Sequence, residues 1–297
     1  MNEKPLPPWA SEIPEGAFIS YSTTYKIGEY FSCFHKDFFT PCDFDKLGYY
    51  FYDPTEHGFA KGKKYPLFIF MHGTTNSLEN EVCINYAGAE FYAKEEYQKA
   101  VGGAYLLIPL ANEYRDKNGV LCGGWNDSYV RPIYDLICNF ITTRIVPNGG
   151  VSKKVIFGNA RGATIAFSLV DSYINFFNVI LSMGGQNVPD DMTLARYEEN
   201  NIWLFLAMGK HDEYISYEKK LEPRLEKLMS MFRCFVFTPD WVCNGDHGIA
   251  SINLAGLEMG QHCIINPVHC NLMFDDGTPM EPLLPNGVTG WLAKALR

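Results

Sequence analysis

No Cys-x-x-Cys pair occurs among the nine cysteines at 33, 42, 83, 122, 138, 234, 243, 263 and 270. Their odd number and scattered spacing argue against both a disulfide framework and a zinc ribbon, so reduced thiols in a cytosol are the simpler expectation. The chain also lacks a basic run: 25 Lys+Arg stand against 34 Asp+Glu, for a net charge of −9. That balance leaves no electrostatic footprint for nucleic acid or an anionic membrane and points to a small or neutral partner. Long apolar runs are missing too. Nothing approaches the roughly 18 residues that a membrane span needs, and Met1-Asn-Glu-Lys-Pro-Leu-Pro-Pro-Trp9 has no apolar signal core. The expectation is a soluble, cytoplasmic protein, secreted if a leader has been removed, with self-association left open. Internal repeats and low-complexity segments are absent.

What is present is a chain of 297 residues, 47% hydrophobic and 20% charged, the profile of a globular protein. Residues 1–64 begin with a Pro-rich stretch over 1–16 and continue with segments 17–25, 30–40 and 47–53. These are dense in Tyr, Phe, Ser and Thr, which suits strands at an antiparallel sheet edge. Tyr65-Pro-Leu-Phe-Ile-Phe-Met71 is a continuous apolar run, as in a parallel strand buried on both faces.

An alternation follows. Strands are expected at 104–109, 154–157, 178–182, 202–207 and 234–238, and helices at 129–145, 160–171, 217–232 and 288–296. Strands separated by helical patterns read as right-handed βαβ units. The expected fold class is α/β: one domain over 1–297 with a doubly wound, mostly parallel sheet and an antiparallel N-terminal edge. Three long loops, 74–103, 183–200 and 239–287, fall where such folds build sites.

The most informative segment is Val155-Ile-Phe-Gly158-Asn159-Ala160-Arg161-Gly162-Ala163. A strand runs through a tight turn into a helix with the glycine spacing of a G-x-S-x-G nucleophile elbow. Alanine occupies the central position, and a methyl group cannot attack a carbonyl. Either a serine has been replaced by alanine or the chain is a natural non-catalytic relative; the intact remainder of the site favours the first. Leu181-Ser182-Met183-Gly184-Gly185 is a decoy, because Ile180 stands where the first glycine is needed. Ser182 is expected to end a strand.

An acyl-transfer site also needs an oxyanion hole, a histidine and an acid. His72-Gly73-Thr74, following the first central strand, offers the Thr74 N–H, and the residue after the elbow offers the Arg161 N–H. The acid falls at Asp212, at the end of Ile202–Ala207 plus Met-Gly209-Lys-His-Asp212, with Glu213 as the neighbouring alternative. Among the histidines, spacing alone slightly favours His247 over His262, while His211 reads as a turn residue and His269 as structural. Trp125, with Tyr114, Tyr129 and Trp241, offers stacking surface for an aromatic acyl group or a sugar ring. No metal or organic cofactor is implied.

Together these residues resemble the α/β-hydrolase superfamily, and within it the esterase-D-like group of feruloyl and acetyl-xylan carbohydrate esterases and predicted peptidases. The resemblance covers about 65–296. It is carried by Tyr65–Gly73 with Glu79-Asn80 downstream, Ile108-Pro109, Trp125, the Gly158–Gly162 elbow, Gly184-Gly185, the 202–212 segment, and a Gly-x-His motif before Trp291-Leu292. Departures are Ala160, the residue inserted between Gly260 and His262, and Arg161. The resemblance moves the preference from His247 to His262. It implies a serine esterase for hydroxycinnamoyl or acetyl esters of plant carbohydrates, with Ala160 at the nucleophile position, Asp212 as acid, Thr74 and Arg161 as oxyanion donors, and His72, Gly73, Trp125 and Trp241 against substrate. A small-ligand-binding pseudo-hydrolase and a peptidase are the alternatives.

Overall fold

Eight strands form one sheet in the computed structural model, which describes residues 5–21, 30–78, 89–254 and 256–297. In chain order they are β1 (His35–Phe39), β2 (Leu47–Tyr52), β3 (Tyr65–Met71), β4 (Tyr105–Pro109), β5 (Val151–Asn159), β6 (Val179–Met183), β7 (Trp203–Ala207) and β8 (Cys234–Phe237). Their spatial order is β8-β7-β6-β5-β3-β4-β2-β1. The run from β4 to β8 is parallel, whereas β1 and β2 are antiparallel at one edge.

The helices are α1 (Glu95–Val101), α2 (Val130–Phe140), α3 (Arg161–Ser172), α4 (Asp191–Glu199), α5 (Tyr217–Lys220), α6 (Leu225–Ser230), α7 (Ile265–His269) and α8 (Gly287–Ala295). Strand β3 shows why two helical layers are needed. Its residues are all buried, and the two-residue period sends Leu67, Ile69 and Met71 into one core with Ile133, Leu136 and Phe140 of α2, and Phe68 and Phe70 into the other with Trp291 and Leu292 of α8.

Local chemistry explains where the expected elements differ from the observed ones. The 129–145 helix is α2, widened to a π turn over Ile141–Ile145 and ended at Pro147. The expected 217–232 helix is broken by Pro223, which cannot continue the α5 hydrogen-bond ladder. The long loops hold short helices: α1, ended by Gly102 at φ 79°, α4, capped by Asp190 accepting from the Thr193 N–H at 2.8 Å, and α7.

Of the segment 17–25, the described residues 17–21 are not part of the large sheet. Ile19–Ser20 forms a two-residue parallel ladder with Ile249–Ala250 instead, and 22–25 lie outside the described residues, as do Glu79-Asn80. The aromatic composition that suggested a strand lacks the alternation that would give it a sheet face. Among the described residues, no helix is long and apolar enough to cross a membrane.

Candidate active site

The turn between β5 and α3 is tightly specified by its backbone. Ala160 adopts φ 49° and ψ −113°, a conformation that costs an L residue on the order of 1–3 kcal/mol and persists only where its surroundings enforce it. Here they do. A Cβ on Gly158 would fall 2.4 Å from the Ala163 Cα, and one on Gly162 would fall 2.0 Å from the Met71 carbonyl oxygen. The two glycines let α3 press against β5 and β3, and the Ala160 N–H is tied to the Met183 carbonyl at 2.9 Å. The methyl of Ala160 is thereby presented in a cavity of about 610 Å³.

His262 and Asp212 meet beside that cavity. The Nδ1–H of His262 lies 2.8 and 3.0 Å from the two Asp212 oxygens. The Asp212 side chain is fully buried, and its Oδ1 also accepts from the Tyr214 and Ile215 N–H groups at 2.8 and 2.9 Å. A carboxylate held by two amides and an imidazole fixes the tautomer, leaving the His262 Nε2 as the free basic atom.

Glu213, the alternative acid, does something else. Its carboxylate accepts from the Gln261 N–H at 2.9 Å and the His262 N–H at 2.7 Å, with the Trp9 Nε1–H at 3.3 Å. It grips the backbone of the histidine loop, and its carboxyl is raised above the usual range by burial, against the opposing pull of those amides. Gln261, the inserted residue, is fully buried and bonds the main chain of Val242 and Ala250. The insertion therefore anchors the loop that carries His262.

His247 is elsewhere. Its Nε2 bonds the Asp276 carboxylate at 2.9 Å and its ring stacks on Phe274, half-exposed to solvent.

On the opposite wall lie Gly73 and Thr74. Glu113 orders their turn by accepting from the Thr75 N–H, the Ser77 N–H and the Ser77 hydroxyl. Trp125 also lines the cavity, with its indole N–H on the His72 carbonyl at 2.9 Å. The structure thus brings Thr74, Trp125, Ala160, Arg161, Asp212 and His262 together.

Four expectations are corrected. The His72 side chain is fully buried behind the wall. Its Nε2 accepts the Ala111 N–H, so its Nδ1–H donates to the Gly73 carbonyl, and it shapes the turn without reaching a ligand. Trp241 stacks on His211 at 3.8 Å and packs near Trp9, away from the cavity lining. Tyr129 is buried, with its hydroxyl bonded to the Asn112 N–H and the Gly123 carbonyl. Tyr114 stands exposed on a small hairpin. Trp241 and Tyr129 anchor loops and Tyr114 faces solvent, which composition cannot distinguish from a stacking role.

Not anticipated were Tyr214, whose ring packs edge-on against His262 at 5.1 Å, and five carboxamides in the lining: Asn76, Asn126, Asn159, Gln186 and Asn266. The only available signal was adjacency, since Asn159 sits within the elbow and Gln186 follows Gly184-Gly185. Cys263 also lines the cavity, but burial pushes its thiol up to about 12. At neutral pH it is not a thiolate and offers no activated nucleophile.

A scan against protein-family models and a search of the curated proteins find no match. Among solved structures, a thermostable esterase superimposes with a TM-score of 0.59 and 16% identity over 82% of this chain and 61% of that one. A protein named FAE gives a TM-score of 0.51 and 12% identity over 75% and 88%. This chain therefore spans about 61% of the esterase's length. At such identities the likeness concerns fold, and with the strand order it identifies an α/β-hydrolase fold.

Proposed function

We propose that this cavity is the site of a serine-type carboxylester hydrolase in which Ala160 occupies the nucleophile position. The observation that carries the reading is the Asp212–His262 pair beside a cavity into which a strained elbow presents residue 160. With a hydroxyl at 160, that oxygen attacks the ester carbonyl while the His262 Nε2 takes its proton. The proton passes to the departing alcohol, and water then releases the acid by the same route. The Thr74 and Arg161 amides are the oxyanion donors of this scheme, and one such donor is worth about 2.7–4 kcal/mol.

The substrates in this reading are small esters of hydroxycinnamoyl or acetyl type from plant carbohydrates. A cavity of about 610 Å³ suits a ligand of that size, with Trp125 and Tyr214 as its aromatic walls. Ala160 itself favours a second reading for the chain as it stands: a protein that binds an ester without turning it over.

Ala160→Ser tests both. Hydrolysis of small aryl esters should rise by several orders of magnitude, since loss of one member of such a unit leaves only about 10³–10⁴-fold acceleration over water. A serine-directed phosphonate should label position 160. In that background, His262→Ala should abolish turnover and His247→Ala should retain most of it. A folded Ala160→Ser protein inert toward a broad ester panel leaves the binding reading in front, and equal losses for the two histidine variants return the role to His247.

A further inference from the structure

Arg161 stands out within the cavity. Among the described lining residues it is the one permanently charged side chain, in a protein whose net charge is −9. Its Nε–H donates to the Trp125 carbonyl at 3.1 Å, which holds the guanidinium along the wall. It forms no ion pair with any described carboxylate, although lysines and arginines elsewhere on this chain pair repeatedly. The Asp212 carboxylate is fully buried and already occupied by two amides and the imidazole.

Nor does helix stability explain a cation here. Arg161 opens α3, whose first turn holds no acidic residue, and a positive charge at a helix N-terminus is unfavourable. The remaining polar lining consists mostly of neutral carboxamides, which orient a ligand without neutralising a charge.

We propose that the cavity recognises an ester carrying a carboxylate, with the Arg161 guanidinium as its counter-ion. A planar guanidinium offers paired N–H donors that match a carboxylate, and although Arg161 is solvent-exposed, its bond to the Trp125 carbonyl keeps it at the cavity lining. Two ligands share this chemistry: a half-ester of a dicarboxylic acid, with the anion on the acyl side, and an acyl ester of a hydroxy acid or uronic acid, with the anion on the alcohol side. The inference rests on the ester-hydrolase reading and narrows its substrates.

The experiment compares each acid with its own neutral methyl ester in the Ala160→Ser protein: monophenyl succinate against methyl phenyl succinate, and cinnamoyl-glycolic acid against its methyl ester. For at least one pair the charged member should have a kcat/KM higher by about tenfold to a hundredfold, the range of one charge-assisted hydrogen bond, carried mainly in KM and shrinking with added salt. The pair that shows the preference assigns the side of the ester. Arg161→Gln should bring the charged-to-neutral ratio to near one, and Arg161→Lys should keep part of it. A ratio of one or below in both pairs, or a preference that survives Arg161→Gln, overturns the proposal.

Calorimetric binding of the two uncleaved acids to the unaltered chain, with and without Arg161→Gln, reads the same pairing without turnover. If Ala160→Ser hydrolyses nothing, the hydrolase reading falls while this arm still tests Arg161. If it hydrolyses the neutral esters without preference, only the carboxylate inference falls.

Discussion

Two titratable residues, one fully buried and one partly so, support the site without lining it, and each has a measurable signature. His72 is fully enclosed and uses both ring nitrogens. Burial holds its imidazole below its ordinary value of 6.5, and protonating Nε2 would set a new donor against the Ala111 N–H. The folded-state value is the depressed one, so the stabilising contribution is present above pH 6.5 and is lost as pH falls toward the folded value. The urea midpoint should therefore decline below pH 6.5. His72→Gln should start lower and decline less over the same interval; a parallel decline would assign the acid sensitivity to other groups. Glu213 is the second case. Both of its oxygens accept backbone N–H groups of the histidine loop, and a carboxamide would turn one acceptor into a donor facing a donor. Glu213→Gln should cost about 1–3 kcal/mol in urea unfolding and, in the Ala160→Ser background, should lower kcat. An unchanged kcat would mean that the loop holds its shape without this grip.

At the scale of elements, the junction of β3, β5 and α3 tolerates little change. A Cβ at Gly162 would meet the carbonyl oxygens of Met71 and His72 at 2.0 and 2.4 Å, and backbone cannot swing aside as a side chain can. Gly162→Ala should destabilise by about 3 kcal/mol, the upper end for overpacking, or leave the protein insoluble; a thermal midpoint within a degree or two of the parent would refute the close approach. This junction was legible in the sequence because the constraint is written there: a continuous apolar run, two glycines and a helical period. Asp212 was legible for the same reason, since a buried strand ending in Gly-x-x-Asp puts that residue at the sheet's C-terminal edge. Positions 17–21 misled because Tyr and Ser serve a strand or an extended segment equally well, and only a pairing partner decides. The partner, Ile249–Ala250, is far away in sequence. Glu213 was read only as a spare acid, because nothing local reveals that its hydrogen-bond donors are Gln261 and His262.

Over the whole molecule, the N-terminal stretch fastens the loop that supplies the histidine. Trp9 is buried between Trp241 and Glu213, the Phe18 and Ser20 carbonyls accept the Ile249 and Ser251 N–H groups, and the Ser20 hydroxyl donates to Asp246 at 2.8 Å. Trp9→Ala should cost about 3 kcal/mol, at the lower end for a core tryptophan. It should also raise hydrogen exchange at the 261 and 262 amides while leaving those of β5 protected. Equal loosening of both regions would make the stretch a general staple with no special tie to the site.

That fastening has a consequence for how the protein comes into being. Asn244 bonds Ser20 across 224 positions of chain, and a ribosome adding about 5–20 residues each second needs roughly 10–45 s to cover that interval. In the last part of it the elbow has already emerged while its histidine has not, and through all of it the early stretch waits without its partner. A chain released late in this interval thus holds an elbow without its histidine and an early stretch without its partner, and unpaired strand edges of that kind are prone to aggregate.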